Sequence, residues 1–234
     1  DKRNRKNIYI FPTEKESLEF YNNFSNFVPE ASHFPAWDTL SYDSFIPSLE
    51  IQGKRLQTLH NVLVSDYFDI AMSMKSFTQK IFINDLDVID LEIRQEVDFE
   101  NLIENLAYLG YVNKDRVESR GTFSIRGGQI DIYPLNSEYP ARIIFNGDEV
   151  AELKLFDYIS QRSIKNIKKV LITPSSELFQ TNQEDIYKSL EIESKKNLDE
   201  YELFQFSQNL KSFKTLLDFV PDGVSMNIID LNGC

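Results

Sequence analysis

Two hairpin signals in the middle of the chain most restrict how it can fold. Val117–Pro134 holds an alternating run, a Gly127-Gly128 pair and a second alternating run, and Ala141–Val150 repeats this pattern around Asn146-Gly147. Alternation of apolar and polar residues is the period of a strand with one buried face. Glycine supplies the positive φ that tight hairpin turns need, and Asn-Gly predicts a type I′ turn with positive φ at both central residues. Together they predict an antiparallel meander lying on a core. Each hairpin also carries an arginine that the fold does not require, Arg126 and Arg142. They mark the sheet as a candidate binding surface. The alternative for each is a surface cation in a weak intramolecular ion pair.

The rest of the chain frames that meander. Its 234 residues, 41% hydrophobic with 18 Phe and 11 Tyr, suffice for one large or two small domains. No apolar run is long enough to span a bilayer, and the basic start at Lys2–Lys6 leads into a strand with no apolar signal core. The single cysteine, Cys234, provides no internal disulfide and fits a reducing cytosol. A cytoplasmic protein without a membrane partner is expected. Two histidines and one cysteine are too few ligands for a His/Cys zinc site. The net charge of −12 argues against a chain that tracks a phosphate backbone. From Tyr111 to Val170, however, ten Lys+Arg face eight Asp+Glu, a less acidic stretch suited to its own partner.

Before the meander the pattern is α/β. Asn7–Pro12 reads as a buried strand, and Thr13 with Glu16 forms a capping box for a helix with Leu18, Tyr21, Phe24 and Phe27 at helical spacing. A second helix is predicted over Gln52–Val64, a strand at Phe68–Ala71 and a short helix at Ser76–Lys80. From Val88 the pattern changes to a strand, a helix capped by Asp98 and stopped by Gly110, and the hairpins. Helices are predicted again over Glu184–Ile192 and Leu203–Phe219, then a strand over Ser225–Asp230. The simplest reading is an α/β domain in two pieces, residues 1–86 and 175–234, interrupted by an α+β domain over residues 87–174.

Catalytic groupings are weak. Gly53-Lys54 lacks a glycine-rich cradle and is followed by Arg55 rather than Ser/Thr, so it reads as the start of a helix. His33 and His60 have no serine or cysteine in an elbow-like turn. Asp148-Glu149 reads as a pair of exposed turn carboxylates. No enzyme is expected in this chain, and no cofactor.

Four segments in collinear order carry a family resemblance: Phe34–Pro47, Gly121–Pro134, Ser137–Glu149 and Leu155–Ser163. The chain resembles the N-terminal region of the bacterial transcription–repair coupling factor family (Mfd) and, more distantly, the related part of UvrB. Pro47 is followed closely by Gly53 and a helix, which leaves no room for the long DNA-clamping hairpin of UvrB. The resemblance implies a degenerate P-loop-NTPase-like parallel sheet, similar to the first domain of UvrB, interrupted by an antiparallel domain similar to its second. It implies a non-catalytic module that binds the damage-recognition ATPase UvrA. The parent protein would use ATP and Mg²⁺ in separate motor domains to push stalled RNA polymerase off DNA. RNA polymerase and DNA would be partners of those other domains, and the module could also contact the parent's C-terminal domains.

Carried over residue by residue, Arg126 and Arg142 match the family's contact arginines. The family often has two aromatics after the second arginine; here they are Phe145 and Asn146, so one apolar contact is lost at the interface. The implied partner-binding set is thus Arg126, Arg142, Phe145 and Asn146. The other function class is a UvrB-like domain that binds damaged DNA and takes part in ATP-dependent remodelling.

Overall fold

The computed structural model describes residues 5–39, 45–81, 83, 86–177, 201–202 and 214–230. It divides into two units, Asp1–Asn84 with Thr181–Cys234, and Asp85–Gln180. The fold is α/β, with one parallel sheet and two further sheets built mainly from antiparallel pairs.

In the first unit, β1 (Lys6–Phe11), β2 (Ser32–Phe34), β3 (Phe68–Ser73) and the late strand β12 (Ser225–Ile228) pair in parallel, in the order β12-β1-β3-β2. A strand inside a parallel sheet is covered on both faces, so its sequence loses alternation. All six residues of β3 are accordingly buried. Helix α1 (Glu14–Phe24) begins at Thr13, where the expected capping box with Glu16 is formed. Of the four apolar positions that the spacing predicts, Tyr21 and Phe24 pack inward, against His33 and Tyr9, and Leu18 and Phe27 do not. Leu18 is 42% and Phe27 85% exposed, while Ser17 is buried and bonded to His33 at 3.1 Å. Phe20 and Phe24 pack onto Tyr9, and Phe20 also meets Phe11. Gly53-Lys54 lies inside α2 (Leu49–Val64), as the helical reading expects. Arg55 from α2 is fully buried, donates to the carbonyls of Pro35 and Lys80, and sits 4.2 Å above the Phe34 ring. The short helix α3 spans Met74–Thr78, capped by Ser73.

At the carboxyl ends of β1, β2 and β3, where open parallel sheets leave a crevice, the protein's own carboxylate is in place. Glu14 accepts from the Ala36 N–H at 3.0 Å and the Ser73 hydroxyl at 2.6 Å, with His33 Nε2 at 3.6 Å. The expected helix over Glu184–Ile192 lies outside the described residues. Of the one expected over Leu203–Phe219, the described part is a 3₁₀ turn at Leu216–Asp218.

The second unit begins with β4 (Ile89–Glu92), antiparallel to β11 (Lys169–Ile172). Helix α4 (Phe99–Tyr108) follows, capped by Asp98 and ended at Gly110 with φ +85°. Six strands form the main sheet: β5 (Val112–Asn113), β6 (Thr122–Ile125), β7 (Gln129–Ile132), β8 (Ala141–Asn146), β9 (Glu149–Phe156) and β10 (Ser163–Ile167), in the order β10-β9-β8-β7-β6-β5. Only the β5–β6 pair is parallel. One face carries Phe123, Ile130, Ile132, Ile143 and Leu153, and buries them in a core with Leu102 and Leu106 of α4.

Both hairpin loops have two residues, Gly127-Gly128 and Gly147-Asp148, with positive φ only at the first (+58° and +63°). That is the pattern of a type II′ turn. The expected type I′ turn centred on Asn146-Gly147 is therefore replaced, and Asn146 becomes the last residue of β8. Gly128 is needed for a different reason: a Cβ there would lie 3.3 Å from the Phe145 carbonyl.

Candidate functional site

Register fixes what stands on the face of the main sheet opposite α4. Residues directly opposite on neighbouring strands share a face, so Ser124, Asp131, Arg142 and Lys154 form one row across β6–β9. Arg126 and Gln129 exchange backbone hydrogen bonds around the first turn, and Gln129 lies opposite Ile144, which lies opposite Glu152. Arg126, Gln129, Ile144 and Glu152 thus form the adjacent row. The two arginines lie on the same face, two strands across and one row along, roughly 12 Å apart from strand and residue spacings.

Their environments differ. Arg126 is exposed, and its Nη2 donates to the Asp115 carbonyl at 2.8 Å. Its guanidinium forms no ion pair among the described residues. Arg142 is committed. Its Nε and Nη2 donate to the two oxygens of Asp131, each at 2.8 Å, and its carbon Cζ sits 4.7 Å above the Phe156 ring. The side chains are 18% and 3% exposed. The alternative reading thus holds for the contacts of Arg142, although its partner is buried and its geometry is a two-pronged fork. Gln129 donates to the same Asp131 oxygen at 2.9 Å, so the carboxylate is well satisfied. Among the described residues no hydrogen bond runs from Nη1 of Arg142, and its side chain is partly exposed.

The two residues after the second arginine separate. Asn146 is exposed on the same face as Arg142 and Ile144. Phe145, expected at the contact, faces the other way: it is 9% exposed, belongs to the core and packs edge-on against Phe99 at 5.1 Å. Alternation along β8 gives the reason, since Phe145 shares its face with Ala141 and Ile143. Asp148 and Glu149 are exposed at the turn, as expected.

Several members of this face were not anticipated from the sequence. Val117, Tyr133, Phe156 and Tyr158 form a second, smaller apolar cluster on it. Arg120 lies 5.2 Å above the Tyr133 ring. Burial raises the pKa of the Tyr133 hydroxyl, which donates to the Glu138 carbonyl at 2.7 Å. Asp131 could have been found, because Gln129–Ile132 alternates and the hairpin register places it opposite Arg142. The result is a sheet face that presents guanidinium groups over aromatic rings. Such a face suits recognition of carboxylates, where planar fork geometry adds specificity to charge. Among the described residues no three His, Cys, Asp or Glu side chains are placed to hold a metal ion, and no helix is long and apolar enough to cross a membrane.

Comparison with known proteins bears on this same unit. Residues 89–178 match the family model described as the UvrB interaction domain. The chain is 27% identical over 175 residues to the transcription-repair-coupling factor of Escherichia coli K12, covering 73% of this chain and 15% of that protein. It is 30% identical over 142 residues to the coupling factor of Mycobacterium bovis, covering 57% and 12%. It is 26% identical over 205 residues to UvrABC system protein B of Thermotoga neapolitana, covering 80% and 31%. The chain therefore spans less than a third of the length of each of these relatives.

Proposed function

We propose that the arginine-bearing face of the main sheet, in the unit whose residues 89–178 match the UvrB interaction domain model, docks onto UvrA. In this reading the chain is the recruiting module of a transcription–repair coupling factor. It links removal of RNA polymerase stalled at DNA damage to nucleotide excision repair, and it performs no chemistry itself. ATP hydrolysis and contacts to polymerase and DNA belong to other domains of the parent, whose C-terminal part could mask the same face. The module comprises residues 87–174, set into a degenerate P-loop-NTPase-like domain formed by residues 1–86 and 175–234. The carboxylate of Glu14 at the crevice of the parallel sheet supports that last point, because it occupies donors that an anionic ligand would use.

One observation carries the proposal: Arg126 and Arg142 share an outward face, the first without an ion pair among the described residues and the second oriented by Asp131. Carboxylates on UvrA would take the remaining donors. Asn146 at the end of β8 is the third contact, whereas Phe145 supports the surface from beneath. The test is binding of the purified chain to purified UvrA. Arg126→Ala is expected to weaken it about tenfold or more without changing the melting temperature, as a loss of roughly 1.5–3 kcal/mol for a charged hydrogen bond implies. Unchanged affinity would remove the face from consideration. The UvrB-like alternative predicts binding of duplex DNA at physiological salt, which the net charge of −12 disfavours.

A further inference from the structure

The turn that follows β9 is held far more firmly than a surface loop requires. Asp157 Oδ1 accepts the Ser160 N–H at 2.7 Å, and the backbone closes through Gln161 N–H to the Asp157 carbonyl and Asp157 N–H to the Arg162 carbonyl. Gln161 sits at φ +62°, a conformation that costs a non-glycine residue energy and persists only where its surroundings enforce it. Its amide does so, donating to the carbonyls of Val117 and Tyr158 at 3.2 and 2.7 Å. Arg116 adds a third clamp, with Nη2 donating to the carbonyls of Ile159 at 2.6 Å and Tyr158 at 3.4 Å.

At the tip of this rigid turn is Ile159, 70% exposed. The turn is continuous with the docking face. Tyr158 packs with Tyr133 and Phe156, and Phe156 underlies Arg142. On the other side Arg116 adjoins Asp115, whose carbonyl holds Arg126. Two exposed arginines belong to the turn and its clamp: Arg116, which also pairs with Glu118 at 3.4 Å, and Arg162.

We infer that Ile159 is an apolar anchor of the same docking surface, seated in a carboxylate-rimmed apolar socket of the UvrA partner, with Arg116 and Gln161 as its positioning residues. The inference rests on the reading given under Proposed function. It supplies an apolar contact to a face whose β8 terminus carries Asn146. A single isoleucine on a pre-ordered turn gives up little conformational freedom on binding, which is where rigid anchors gain affinity.

The test measures affinity of the full chain for purified UvrA in three variants beside Arg126→Ala. Ile159→Ser is expected to weaken binding roughly tenfold, the scale of burying one such side chain, and Ile159→Leu to retain most of it. Gln161→Gly suits the positive φ, which offsets part of the loss of its two side-chain hydrogen bonds, so it is expected to weaken binding by more than its effect on the melting temperature explains, because the turn loses its side-chain clamp. If Arg126→Ala weakens binding and Ile159→Ser does not, the anchor is refuted and the sheet face stands. If Ile159→Ser weakens binding and Arg126→Ala does not, the sheet face falls and the inference that Ile159 belongs to it is overturned, leaving a contact at the turn alone. If neither does, both fail.

Discussion

Arg142 and Asp131 show how one residue can serve stability and recognition at once. The fork between them fixes a partly exposed guanidinium on the sheet face, and it also pairs a carboxylate that is 3% exposed. Arg142→Ala leaves that carboxylate without its cation. It should therefore cost about 1–3 kcal/mol in urea unfolding, discounted from a fully buried pair because the arginine is partly solvated. Asp131→Ala in the Arg142→Ala background should recover part of that loss. Arg126→Ala, at an exposed site, should stay within about 0.5 kcal/mol. Arg142 is thus a poor single probe of binding, and Arg126 a clean one. A second residue-scale prediction concerns His33. Burial lowers its pKa in the folded state, opposed by the Glu14 carboxylate and reinforced by Lys54. The unfolded chain then takes up the proton first, so stability is full above the unfolded pKa and falls with the pH through about 6.5. His33→Gln should flatten the dependence of the melting temperature on pH between about pH 8 and pH 5; an unchanged slope would show that His33 does not set it.

At the scale of elements, the hairpins were legible because their evidence is local: a period of two, glycines at the turns and charged residues on one face. Phe145 shows the limit of carrying over a motif. The resemblance transfers the pair Phe145 and Asn146 together, but alternation along β8 sends them to opposite faces, and only the observed burial assigns one of them to the core. Phe145→Leu is therefore expected to retain UvrA binding and to cost about 1–2 kcal/mol, as a core substitution would. Loss of binding with unchanged stability would restore Phe145 to the interface. Strands β5 and β10 left little sequence signal. The first has two residues, and the second is exposed at four of its five positions, so neither carries an alternating buried face. The spacing of α1 shows its buried face only in part, through Tyr21 and Phe24, for a related reason. Spacing counts apolar side chains, yet the most deeply buried residue of this helix is Ser17, which is hydrogen-bonded to His33.

For the whole molecule, charge and composition separate two roles. The chain carries −12 overall, while its docking unit concentrates arginines on one sheet face. A partner with an acidic surface would be steered toward that face at low salt and released as screening grows, so the association rate should fall with ionic strength more than the dissociation rate rises. The most direct measurement of the central claim is the affinity of the purified chain for purified UvrA, wild type against Arg126→Ala, with both melting temperatures measured alongside. Binding weakened about tenfold or more, with matching melting temperatures, is the expected result. Equal affinity in the two proteins would contradict it.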